Sequence, residues 1–83
     1  MEASIRLEII SPEKKILSRK VYEVTLPGVM GSFQVLKNHA PLITSLEKGE
    51  IRFMLDDSSV HAVPIEGGFV EVIDNKVIAI VEV

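Results

Sequence analysis

Phe69-Val70-Glu71-Val72-Ile73, then Asp74-Asn75, then Lys76-Val77-Ile78-Ala79-Ile80-Val81-Glu82-Val83: this closing stretch carries the reading of the fold. The first run is a short apolar stretch interrupted only by Glu71, which reads as a strand. Asp74 and Asn75 both tolerate positive φ, which suits a tight hairpin between two strands. The second run is apolar on both faces from Val77 to Val81. A strand of that kind belongs inside a sheet, with neighbours on both sides.

Towards the N-terminus apolar and polar side chains alternate, the period of a half-buried strand. Ile5, Leu7 and Ile9 alternate with Arg6 and Glu8, Tyr22, Val24 and Leu26 with Glu23 and Thr25, and Ile51, Phe53 and Leu55 with Arg52 and Met54. Ser11-Pro12-Glu13, Pro27-Gly28, Glu47-Lys48-Gly49, Asp56-Asp57-Ser58-Ser59 and Gly67-Gly68 read as the breaks between strands. Ser11-Pro12-Glu13-Lys14 also fits a helix start, but few residues follow before Ser18-Arg19-Lys20, which favours a short strand over residues 15–17. Shorter runs at 33–36, 42–46 and 60–65 complete the set, and no segment shows a 3.6-residue stripe. Many short strands at regular intervals predict an all-β sandwich or flattened barrel, formed as one domain over residues 1–83. Val83 ends the last apolar run without a polar tail, so the terminus is expected in or at the end of a strand.

Composition narrows the function. The chain is 47% hydrophobic with a mean hydropathy of +0.32. A domain of this length buries only about 60–65% of its unfolded surface, so part of that apolar area is expected to lie under a partner. A net charge of −3, scattered Lys and Arg, and four aromatics not interleaved with them argue against nucleic-acid binding. The absence of cysteine removes disulfides and thiolate metal sites. Neither a signal-peptide core nor a run of about 20 apolar residues occurs, so membrane association is expected only through a complex.

Catalytic patterns are weak. His39 or His61 with Ser32, Ser45, Asp56 or Asp57 is a conceivable triad, but no nucleophile elbow accompanies them. The two histidines lack a third metal ligand at suitable spacing, and Asp56-Asp57 lack the spacing of a calcium loop. Gly28-Val29-Met30-Gly31 is followed by no helix and no Lys-Ser/Thr, so it is no phosphate loop. No cofactor is expected. Val29 and Met30 stand at a loop tip where water favours polar groups, and either serve a contact or fold back over the sandwich end. His39 either hydrogen-bonds within the turn before Pro41 or is an interface residue at the same end as the glycine loop.

Gly28-Val29-Met30-Gly31, Phe33-Gln34-Val35-Leu36, His39-Ala40-Pro41-Leu42-Ile43-Thr44 and Leu46-Glu47-Lys48-Gly49-Glu50-Ile51 stand in order. With Ile9-Ile10-Ser11-Pro12-Glu13 before them and Gly67-Gly68-Phe69-Val70-Glu71-Val72 after, this series resembles the N-terminal β-domain of F-type ATP synthase epsilon subunits, called delta in mitochondria. The resemblance spans essentially the whole chain. It implies about ten strands in two five-stranded sheets, and a non-catalytic rotor subunit of the central stalk. Such a subunit holds the gamma subunit on the c-ring, couples proton or sodium flow to ATP synthesis, and lies peripherally at the cytoplasmic face of the bacterial inner membrane. Carried over by position, Gly28, Val29, Met30, Gly31 and Ser32 are expected to face the c-ring, and Ser11, His39 and Thr44 the gamma subunit.

Several positions depart from that family pattern. Ser32 stands where an acidic residue is common, Gln34 and Lys37 where glycine and proline are frequent, and Glu66 where a small polar residue is usual. Family members generally continue into a C-terminal helix pair that binds ATP and inhibits hydrolysis. Nothing in residues 1–83 corresponds to it; the expectation is a coupling element without that helical domain if Val83 is the natural end, and a minimal β-domain of a longer subunit if it is not. The competing expectation is a free-standing β-sandwich interaction module using the same loop end.

Overall fold

Each apolar run of the sequence becomes a strand. The computed structural model describes residues 3–83 and contains β1 (Ile5–Ile10), β2 (Lys15–Val21), β3 (Glu23–Gly28), β4 (Gly31–Val35), β5 (Leu42–Leu46), β6 (Gly49–Met54), β7 (Val60–Ile65), β8 (Gly67–Ile73) and β9 (Lys76–Glu82). The described residues thus form nine strands where the resemblance implies about ten.

The strands run in the order β2-β1-β9-β8-β5-β3-β6-β7, with β4 on the remaining side of β3. Between β5 and β3 the ladder consists of one pair, Gly28 with Leu46. That single link is a corner. It divides the chain into a five-stranded layer, β2-β1-β9-β8-β5, and a four-stranded layer, β4-β3-β6-β7. All pairs are antiparallel except β1 with β9. β9 has a partner on each side, as its apolar sequence demands.

Alternation places Ile5, Leu7, Ile9, Val70, Val72, Val77 and Ala79 on the inner face of the first layer. Val24, Leu26, Val35, Ile51, Phe53 and Ile65 answer from the second, and all belong to one core. Each fully buried aliphatic side chain contributes about 1.5–3 kcal/mol of transfer free energy, which makes this shared core the main source of stability.

Two sequence expectations are corrected. β2 continues through Ser18-Arg19-Lys20 to Val21, because an edge strand needs pairing on one side only and tolerates polar side chains. It carries a bulge: Ile9 faces Leu17 and Ile10 faces Lys15, leaving Ile16 as the extra residue. Gly67 and Gly68 do not break the chain but open β8, paired with Glu82 and Val81. Glycine is required at Gly68, where φ is 146° and an added Cβ would lie 2.8 Å from Val81 Cα. The Asp74-Asn75 hairpin forms as its sequence predicts, with φ of 50° and 60°.

Candidate docking surfaces

The antiparallel topology sorts the loops to two ends. One end collects the β1–β2 turn, the β3–β4 hairpin, the β5–β6 turn and the end of β9. The other collects the β4–β5 connection, the β6–β7 turn and the β8–β9 hairpin.

At the first end Gly28 pairs with Gly31, so Val29 and Met30 form a two-residue hairpin tip. Gly31 takes φ of 126°, a value that favours glycine. The Val29 amide donates to the Ser45 carbonyl at 3.0 Å, and the Glu47 amide to that of Pro27 at 2.9 Å, which ties the hairpin to the β5–β6 turn. Met30 is 94% exposed, so it projects from the sandwich end and does not fold back over it. Below the tip, Met30, Gly31, Ser32 and Phe33 face Leu42 and Thr44 across an open cleft of about 380 Å³. Thr44 therefore sits with the hairpin.

Ser11 occupies the same end but is buried. Its hydroxyl donates to the Lys14 carbonyl and accepts from the Lys14 amide, both at 3.2 Å, so it closes the β1–β2 turn. His39 stands at the opposite end from the glycine hairpin, which corrects the expectation that they share one. β4 runs between them, and its five residues span roughly 16 Å. The His39 Nδ1–H donates to the Ala40 carbonyl at 2.7 Å, and its amide to Leu36 at 3.2 Å. The connection is clamped to the β8–β9 hairpin, since the Asn38 amide donates to Asn75 Oδ1 at 2.6 Å.

A surface not singled out from the sequence joins these ends. Following the ladder, Ile43 of β5 faces Glu71 of β8, and Glu71 faces Ile78 of β9. In the adjacent rung Phe69 faces Ile80. All of them lie on the outer face of the five-stranded layer. Ile43 is 72% exposed, Phe69 50%, Ile73 42% and Ile80 37%. The signal was present in β9: a strand apolar on both faces needs cover on both, and the sandwich covers one. Pro41 connects this face to His39 at its margin.

The chemical groups assemble differently from a triad. Ser59, absent from the sequence-level candidates, donates its hydroxyl to Asp57 Oδ1 at 2.6 Å and its amide to the same oxygen at 2.9 Å. These bonds hold the Asp57 carboxyl below the ordinary aspartate value. His61 Nε2 lies 3.2 Å from the same hydroxyl. With the hydroxyl proton directed to Asp57, the imidazole is the donor, so it is not placed to deprotonate serine. The His61 ring stacks on Phe53 with centroids 5.5 Å apart. The group caps the exposed β6–β7 turn. No set of three or more metal-ligating side chains occurs among the described residues.

Residues 4–83 match the family model of the ATP synthase Delta/Epsilon chain, beta-sandwich domain. The ATP synthase epsilon chain of Chlorobium limicola is 42% identical over 81 residues, covering 98% of this chain and 92% of that protein. For the ATP synthase epsilon chain of Anaeromyxobacter sp. (strain K), identity is 40% over 79 residues, covering 95% of this chain and 59% of its relative. Among solved structures, a chain in the cryo-EM structure of the Euglena gracilis mitochondrial ATP synthase superposes with a TM-score of 0.89. It is 24% identical and covers 98% of this chain and 52% of that one, a likeness of fold.

Proposed function

The chain belongs to the ATP synthase delta/epsilon chain β-sandwich family, and from that premise we propose that it is a non-catalytic central-stalk subunit that docks the gamma subunit onto the c-ring. In that role it couples ion translocation to ATP synthesis at the cytoplasmic face of a bacterial inner membrane. The observation that carries the proposal is the uncovered apolar face of the five-stranded layer, with Ile43 at 72% exposure at one edge. A partner laid across that face removes the area from water, and gamma is the partner we assign to it. His39, at the margin of the same face, extends the gamma contact. The ring contact belongs to the hairpin, Gly28, Val29, Met30, Gly31 and Ser32, with Thr44 beneath it. Ser32 brings no charge to that contact, so it depends on Val29 and Met30 for apolar area. A transmitted torque needs a stiff body held at two separated places, and a double-layered sandwich gripped on one face and one end supplies that.

Size-exclusion chromatography of the chain with purified gamma subunit, and with a gamma–c-ring assembly, tests this. The expected result is a stoichiometric complex with each. Met30→Glu leaves binding to gamma alone unchanged but weakens binding to the ring-containing assembly beyond it. A folded chain that associates with neither is a free-standing interaction module, and the proposal falls.

A further inference from the structure

Glu71 occupies the middle of the apolar face. Its cross-strand neighbours are Ile43 on β5 and Ile78 on β9, and along β8 the next outward side chains are Phe69 and Ile73. Among the described residues no hydrogen bond or ion pair engages its carboxylate; the ion pairs found are Lys48–Glu66 and Arg52–Glu50, both elsewhere. Lys76, opposite Ile73, is the nearest basic position in the ladder, and Lys76 in turn pairs with Arg6 on β1 at the margin of the face.

A carboxylate flanked by Ile43, Phe69, Ile73 and Ile78 is tolerated while water reaches it. Covering this face removes that water, and an uncompensated buried charge is strongly unfavourable. We infer that the surface covering this face presents a basic side chain, arginine or lysine, set among apolar residues and seated opposite Glu71. This rests on the gamma-docking proposal, with gamma as the occupant. The match is one of charge as well as shape: apolar contacts supply area, and the ion pair fixes register, because a slide along the strands strands the carboxylate against hydrocarbon. A second copy of this chain fits poorly. A two-fold axis through the centre of the face would bring Glu71 against its own mate.

The inference predicts a sign. If gamma supplies a cation, removing the Glu71 charge leaves that cation buried and unpaired, and affinity falls. If gamma supplies only apolar groups, removing the charge abolishes a desolvation penalty, and affinity rises. Binding of purified gamma subunit is measured by isothermal titration calorimetry for the wild-type chain, Glu71→Gln, Glu71→Leu and Glu71→Lys. The expected results are a loss of about 30-fold or more in Kd for Glu71→Gln and Glu71→Leu, and no detectable binding for Glu71→Lys. Thermal melts of the variants are expected to match the wild type, because the side chain is exposed and unbonded in the free domain. Unchanged or tighter binding by Glu71→Leu, with the wild type binding normally, overturns this inference and leaves gamma docking intact. Failure of the wild type itself to bind gamma overturns both.

Discussion

Gly68→Ala is the sharpest test of how closely β8 and β9 approach within the five-stranded layer. Gly68 lies in β8 with φ of 146°, between Leu46 on β5 and Val81 on β9. A methyl group there would overlap the Ile80 carbonyl oxygen and stand 2.8 Å from Val81 Cα and 3.1 Å from Ile80 C. All three are backbone atoms of an interior strand, so no rotamer change relieves the overlap. The unfavourable φ costs about 1–3 kcal/mol, and forced overpacking adds about 1–3 kcal/mol. A combined loss of about 2–6 kcal/mol is a large part of the roughly 4–12 kcal/mol that stabilises a domain of this length. At roughly 4–8 °C per kcal/mol, the melting temperature falls by roughly 8–48 °C. Gly31→Ala is the control, since Gly31 has a φ of 126° but nothing within 4 Å of an added Cβ. It carries the backbone term alone, about 1–3 kcal/mol. Both are measured by circular dichroism melts and urea titration. A Gly68→Ala melting point within a few degrees of wild type, or above that of Gly31→Ala, refutes the close approach of β8 to β9.

Two further predictions concern the turns. Asn75 holds φ of 60° and accepts the Asn38 amide at 2.6 Å, so Asn75→Gly keeps the turn but loses the clamp. A stability loss of about 0.5–1.5 kcal/mol, with faster amide exchange at Asn38, is expected; unchanged Asn38 exchange rules the clamp out. Ser59 bonds hold the Asp57 carboxyl low, its hydroxyl first and its amide second. The stability Asp57 contributes is therefore present above the ordinary aspartate value and is lost as pH falls through the depressed one. In Ser59→Ala the Asp57 titration, followed by carboxyl carbon NMR shifts, moves up towards the ordinary value. A titration that stays in place assigns the depression to something other than the hydroxyl.

Local chemistry made the turns legible. Asp74-Asn75 and Asp56-Asp57-Ser58-Ser59 are hairpins by residue type, and both formed. Breaks inferred from composition fared less well. Ser18-Arg19-Lys20 are polar and Gly67-Gly68 weak strand formers, yet both lie within strands. An edge position accommodates the first, and a close backbone approach selects the second. Proximity in sequence also misled over His39, because the nine residues from Gly31 to His39 include a whole strand that carries the chain to the other end.

Alternating side chains by themselves determined an all-β chain and chose which residues face inward, since a pleated strand sends successive side chains to opposite sides. That is why Ile5, Leu7, Ile9, Val24, Leu26, Ile51 and Phe53 are buried as their pattern predicts. The closing run also announced an interior place in a sheet, which the structure fills between β1 and β8. What only the tertiary structure decided is what lies beside what. Ile43, Glu71 and Ile78 are far apart along the chain, and hydrogen-bond register alone sets them in one rung. The apolar face and the carboxylate at its centre are therefore properties of strand pairing, which no single strand encodes.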